Sequence, residues 1–175
     1  MHHSLRVLAN ARHIMEKDQE SVNRLVVELA AILHDVADHK FGFSDDDRRR
    51  IITQFLQTQH IPGATIAQVI SIVNTISYSK HATLDSKEAA VVKDADMLDA
   101  IGAIGIARAF TYGGGHGRSI YDSADENCTV QHFHEKLFKL KDLMQTRTAQ
   151  EIAEQRDAFM HEFLDRLMQE FAGKQ

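Results

Sequence analysis

The chain has 175 residues, a formal net charge of −5 and a hydrophobic fraction of 43%, which suits one soluble domain with a sizeable core. The acidic balance argues against nucleic-acid and anionic-membrane partners, and no apolar run reaches the ~20 residues of a membrane span. The single cysteine, Cys128, fits a reducing compartment, so we expect a cytoplasmic protein that is a monomer or a homodimer.

Apolar residues recur with a helical period along most of the chain, and strand-like alternation is nearly absent. In chain order, helices are predicted at about Ser4–Lys17, Ser21–Asp38, Ser44–Leu56, Ile66–Ile76, Ser86–Phe110, Val130–Met144 and Ala149–Phe171. Ser21, Ser44 and Ser86 are the predicted N-caps. The pattern predicts an all-α fold, a single helical bundle of about seven helices over residues 1–175.

The pair His34-Asp35 follows the apolar helical stretch Leu25–Leu33, which places an imidazole and a carboxylate at the end of a core-facing helix. A second histidine, His3, lies upstream, and three carboxylates lie downstream, at Asp94, Asp96 and Asp99. Imidazoles and carboxylates together form a mixed site for one divalent ion, Mn, Mg, Ni, Fe or Zn. A site with four protein ligands keeps a position for water, which is typical of catalytic metal centres.

Further polar residues near these motifs have candidate roles in catalysis or substrate binding. Asp38 lies one helical turn beyond His34, so we predict that Asp38, with Asp35, is a catalytic carboxylate. Lys40 lies just past this helix and is the best candidate for a phosphate contact. The glycine-rich segment Gly113–Gly117 is either a plain flexible loop or a lid in which His116 and Arg118 bind phosphate.

Other charged residues are predicted to be structural. Asp94 and Asp99 are interpreted as surface or helix-orienting carboxylates, although Asp99 could hydrogen-bond a ligand histidine. The triple Arg48-Arg49-Arg50 follows Asp45-Asp46-Asp47 and is interpreted as a salt-bridged, solvated helix face with i,i+3 spacing.

The order of His3, His34-Asp35 and Asp96 is similar to the H…HD…D signature of the HD-domain superfamily of metal-dependent phosphohydrolases. The chain resembles most closely its small bacterial YedJ/YpgQ-like branch. Further segments carry this resemblance, namely His3-x-x-Arg6-Val7, Leu33–Asp38 with Lys40-Phe41, Lys93–Asp96, Leu98–Gly105, Ala107-Arg108, Tyr112–Gly114 and Gly117-Arg118. The resemblance spans the chain from His3 to about Met160 and implies the all-α HD fold. It also implies that Asp96, in the Ala-Asp pair, is the last metal ligand, rather than Asp94 or Asp99.

The resemblance implies hydrolysis of a phosphate ester or anhydride bond in a nucleotide or another small phosphorylated metabolite. Nucleoside triphosphate pyrophosphohydrolase or phosphatase activity is the preferred version. A cyclic or dinucleotide phosphodiesterase is the second enzymatic alternative, disfavoured because the extra carboxylates of a two-metal site are not evident. A non-catalytic nucleotide-binding sensor is the third alternative, and the intact set His3, His34, Asp35 and Asp96 argues against it.

Overall fold

The computed structural model describes residues 2–19, 21–37, 42–76, 84, 86–125 and 127–174. These residues form eight α-helices and no strand, which confirms the all-α prediction. The helices are α1 His3–Asp18, α2 Arg24–Leu33, α3 Asp45–Thr58, α4 Gly63–Thr75, α5 Lys87–Asp99, α6 Gly102–Gly115, α7 Thr129–Glu135 and α8 Arg147–Phe171. Within the described part, none of these helices is both long enough and apolar enough to cross a membrane.

The chain forms two compact units, Met1–Asp96 and Met97–Gln175, and the division falls within α5. In the first unit α1 packs against α2, and α4 packs against both α2 and α3. Its core includes Val7, Ile14, Val27, Ile52, Leu56, Val69 and Val92. In the second unit α6 packs against α7 and α8, around Phe133 and Met160. The single domain over residues 1–175 stays a prediction.

The starts of three helices follow from the chemistry of their capping residues. The Ser44 hydroxyl accepts the Asp47 N–H at 3.1 Å, and the Asp47 carboxylate accepts the Ser44 N–H at 3.2 Å. This reciprocal capping box and the Ser86 hydroxyl, which accepts the Ala89 N–H at 3.1 Å, confirm two predicted N-caps. The Ser21 prediction is wrong, because the Asn23 side chain accepts the Val26 N–H and α2 begins at Arg24.

The predicted continuous helix from Ser86 to Phe110 is wrong, because the helix is interrupted between the end of α5 at Asp99 and the start of α6 at Gly102. Gly102 adopts a φ of +73°, and a Cβ at this position would lie 2.9 Å from Cγ of Arg156. Only glycine adopts this conformation readily at such a close approach. The predicted helix Val130–Met144 is also shorter than expected: α7 ends at Glu135, and two 3₁₀ helices, Leu137–Lys139 and Lys141–Leu143, follow it.

The glycine-rich segment is not a loop over its whole length, because Gly113–Gly115 form the last turn of α6. Gly113 is buried, and a Cβ there would collide with the Thr129 hydroxyl. Gly117 then adopts a φ of +68°. The Arg118 N–H donates to the Gly113 carbonyl at 2.9 Å and the Gly117 N–H to the Gly114 carbonyl at 3.2 Å, which is the Schellman arrangement that ends a helix.

Candidate metal centre

Three helices of the first unit bring the four predicted ligands to one place. His3 is the first residue of α1, His34 directly follows the last residue of α2, and Asp96 lies on α5. Asp35 lies in the turn that follows α2. His34 is buried, with 5% of its side chain exposed, whereas Asp35 and Asp96 are 34% and 36% exposed. The cluster is therefore anchored in the core and accessible to solvent on its carboxylate side.

The interatomic distances within this cluster match those of groups that share one ion. His3 Nε2 lies 3.1 Å from His34 Nε2, 3.3 Å from Asp96 Oδ1 and 3.6 Å from Asp35 Oδ2. His34 Nε2 lies 3.6 Å from Asp96 Oδ1 and 3.9 Å from Asp35 Oδ2. Two ligand atoms ~2.1 Å from a common ion are ~3.0 Å apart at right angles and ~4.2 Å apart when opposite. All five distances fall within this window, and His3, His34 and Asp35 lie close enough together to hold a metal ion, with Asp96 beside both histidines.

The orientation of His34 is set by its second ring nitrogen. Nδ1 lies 2.8 Å from the carbonyl oxygen of Ala31, one helical turn earlier. A carbonyl can only accept, so Nδ1 is the donor, and in the neutral ring Nε2 then carries the lone pair. This lone pair faces the other ligand atoms, and such a hydrogen bond on the far nitrogen is typical of metal-binding histidines. With two carboxylates beside it, the cluster has the charge and the donor types that a divalent cation requires.

Two polar links hold α1 in place against the other helices of the centre. The Asn10 amide donates to the Ala95 carbonyl at 3.1 Å and so joins α1 to α5 next to Asp96. Arg12 of α1 donates two hydrogen bonds to the Glu28 carboxylate of α2, at 2.9 and 3.0 Å. The hydrogen bonds from Arg12 and then Arg24 lower the pKa of Glu28 to about 2. Because His3 begins α1, these links hold the helix that carries it.

The other four predicted site residues fall into two groups. Asp38 and Lys40 lie outside the described residues. His116 and Arg118 lie in the second unit, where the His116 ring stacks on Tyr112 with a centroid distance of 3.9 Å. The Arg118 guanidinium lies 5.6 Å from the centroid of the same Tyr112 ring. The catalytic and substrate-binding roles of these four residues stay predictions.

Burial contradicts the solvated position predicted for Arg48 and the surface alternative, but not the helix-orienting one, for Asp94 and Asp99. Asp94 and Asp99 are buried, and Asp99 accepts a hydrogen bond from Arg108 at 2.7 Å. Arg48 is also buried, although Arg50 does pair with Asp47 at 2.8 Å as the i,i+3 spacing predicts. The spacing of residues in the sequence indicates the burial of Arg48. Arg48, Ile52 and Leu56 are four residues apart and so share one face of α3, and that face is buried.

Comparison with known proteins gives consistent matches over nearly the whole chain. The sequence model of the HD domain family matches residues 1–101. YpgQ of Bacillus subtilis (strain 168) is 37% identical over 179 residues, covering 98% of this chain and 84% of YpgQ.

Two solved structures extend this similarity to the fold. The crystal structure of B. subtilis YpgQ in complex with ADP is 38% identical, has a TM-score of 0.81, and matches over 96% of this chain and 87% of that one. The crystal structure of an HD-superfamily hydrolase from Bacillus thuringiensis is 38% identical, with a TM-score of 0.84 over 98% and 86% of the two chains.

Proposed function

The chain belongs to the HD domain family, and we propose that this HD-superfamily hydrolase is a metal-dependent phosphohydrolase that acts on nucleoside triphosphates. The short distances that join His3 and His34 to each other and to the carboxylates of Asp35 and Asp96 carry the proposal. The ADP complex of the relative YpgQ supports a nucleotide as the substrate. The reaction releases either pyrophosphate or phosphate, and both versions add water across a phosphoanhydride bond.

In this proposal the four side chains hold one divalent ion, with manganese the first to be tested. Such an ion, when bound, lowers the pKa of water and polarises a phosphoryl oxygen. The Ala31 carbonyl keeps the His34 imidazole in the tautomer that a ligand needs. The carboxylates of Asp35 and Asp96 are partly exposed. Substrate and water would therefore reach the ion from this side.

The remaining steps require a base and cations, and the sequence supplies a candidate for each. Hydrolysis forms a bond between the water oxygen and phosphorus, and the bridging oxygen leaves with the other product. We propose that Asp38 accepts the proton that the attacking water gives up. The substrate carries several negative charges and the protein is itself acidic, so Lys40, Arg118 and His116 are proposed to bind the phosphates. A cytoplasmic location is part of the same proposal.

The test is a hydrolysis assay on metal-free protein reloaded with Mn²⁺, Mg²⁺, Ni²⁺, Fe²⁺ or Zn²⁺. Nucleoside triphosphates, cyclic nucleotides and dinucleotides are supplied in parallel, and the products are separated by anion-exchange chromatography. We expect metal-dependent cleavage of a triphosphate. His34→Ala and Asp35→Ala should each lower turnover by more than about 100-fold, the upper effect of losing a residue that only supports a ligand.

His13→Ala is the matched control, because His13 is an exposed histidine of α1 and its removal should leave turnover unchanged. Helical circular dichroism should be retained in all three variants. Cleavage of cyclic or dinucleotides alone would indicate a phosphodiesterase instead. Nucleotide binding without any turnover would indicate a sensor.

A further inference from the structure

Arg48 has the largest fully buried side chain among the described residues, with 2% of its surface exposed. Its neighbours Arg49 and Arg50 on α3 are both exposed. Moving a guanidinium out of water is costly unless hydrogen bonds replace the lost hydration. The groups to which Arg48 donates therefore indicate why a charged side chain occupies a position in the core.

Arg48 donates hydrogen bonds to backbone carbonyls in two places in the first unit, the turn after α2 and the last turn of α4. Its Nε donates to the Ala37 carbonyl at 3.2 Å, and its Nη1 donates to the Val73 carbonyl at 3.4 Å. Val73 lies in the last turn of α4, where carbonyls have no partner within the helix. Ala37 lies in the turn that starts at His34. Arg48 thus ties the turn that contains two candidate metal ligands to both α3 and α4.

The backbone of Ala37 needs such support, because it adopts a φ of +49°. In this left-handed region the Cβ of a residue other than glycine approaches the following carbonyl too closely. Such conformations persist where the surroundings hold them in place, and they occur often at functional sites. The hydrogen bond from Arg48 to the carbonyl of this same residue is one contact that holds it.

We propose that Arg48 is a positioning residue for the candidate metal centre: by holding the left-handed turn at Ala37, it fixes His34 and Asp35 in the arrangement that binds the ion. This inference rests on the proposed function for the metal itself, but it does not depend on which substrate is hydrolysed. Arg48 acts on the ligands through the backbone of their turn, by its hydrogen bond to the Ala37 carbonyl.

The test is the dissociation constant of Mn²⁺, measured by calorimetric titration of metal-free protein. Arg48→Met keeps a long, unbranched side chain but removes the guanidinium donors, and we expect it to weaken Mn²⁺ binding by about 10-fold to 100-fold. Arg49→Met, the same change at the adjacent exposed position, is the matched control and should leave the constant within about 2-fold. Circular dichroism and thermal unfolding establish that both variants are folded.

Substitution of Ala37 separates positioning from a general loss of stability. Glycine adopts a positive φ without steric cost, so Ala37→Gly should change Mn²⁺ affinity little in the wild-type background. In the Arg48→Met background it should recover a large part of the lost affinity, a non-additive effect that a purely structural role of Arg48 would not produce. If Arg48→Met does not fold, the same titrations use Arg48→Lys, which keeps the charge but lacks the planar guanidinium.

Three results would overturn the inference, and they are distinguishable. An unchanged Mn²⁺ constant in a folded Arg48 variant would overturn the role of Arg48 and leave the metal centre intact. Equal losses with and without Ala37→Gly would assign Arg48 to general stability. If the wild-type protein bound neither Mn²⁺ nor any of the other four ions, the metal centre and the positioning role would both be rejected.

Discussion

The types and order of the candidate ligands, His3, His34, Asp35 and Asp96, could be predicted from the sequence, because imidazole and carboxylate chemistry belongs to the residues themselves. Even the tautomer of His34 depends on a neighbour only three residues away, Ala31. The burial of Arg48 could not be predicted with the same ease. Its charge and the three preceding aspartates suggested a solvated face, and only its register with Ile52 indicated the core.

The predicted phosphate contacts can be tested one residue at a time. Lys40→Ala and Arg118→Ala should each lower kcat/KM by about 10-fold to 100-fold, the loss expected for a hydrogen bond to a charged group. The change should be mainly in KM if the contact is equally strong in the ground state and the transition state. Steady-state kinetics on the best nucleotide, with metal content measured in parallel, would determine both quantities.

A matched control for these cations is Lys17→Ala, since Lys17 is an exposed lysine of α1 that we do not assign to the substrate. Its kinetic constants should equal those of the wild type. If Lys40→Ala and Arg118→Ala both behave like this control, the segment around Gly117 only ends α6, and other cations bind the substrate.

At the scale of helices, the prediction succeeded where the signal is local and failed where it depends on packing. Ser44 and Ser86 cap the helices that follow them through hydrogen bonds within three residues. The break before α6 depends instead on the close approach of Arg156 to Gly102, which is distant in sequence. The helical state of Gly113 likewise goes with its packing against Thr129, although glycines between polar residues usually indicate a loop.

The link between α1 and α2 predicts a specific pH dependence of stability. The pKa of Glu28 is lowered from 4.5 to about 2 in the folded state by Arg12 and Arg24. A lowered pKa means that the carboxylate stabilises the fold above pH ~4.5 and that this contribution is lost as the pH falls toward 2. Glu28→Gln should therefore lower the free energy of unfolding by about 1 kcal/mol at pH 7, the upper range for exposed ion pairs.

Denaturant unfolding of wild type and Glu28→Gln at pH 7, 5, 4 and 3 measures this difference. The two curves should converge as the pH falls below 4.5, because the wild-type carboxylate becomes protonated. Glu162→Gln, a change of an exposed glutamate on α8, serves as the control and should give no such convergence. A constant difference between wild type and Glu28→Gln over the whole pH range would contradict the assigned cause.

At the scale of the whole molecule, the division into two units was not visible in the pattern of apolar residues, because one continuous helix, α5, spans the boundary. The match of the HD domain family ends at residue 101, close to the end of the first unit at Asp96. All four candidate ligands lie within this unit. The second unit contains His116 and Arg118, whose roles in substrate binding stay predictions.

This arrangement predicts that a metal ion stabilises the protein through its first unit. We expect about one divalent ion per chain by elemental analysis of gently purified protein. Saturation with Mn²⁺ at 100 times its dissociation constant should add about 2.7 kcal/mol to the free energy of unfolding, and EDTA should remove this gain. Hydrogen exchange should show added protection in α1 and α2, which the ion would join through His3 and His34. His34→Ala should show neither effect, whereas equal stabilisation of wild type and His34→Ala would place the ion at another site.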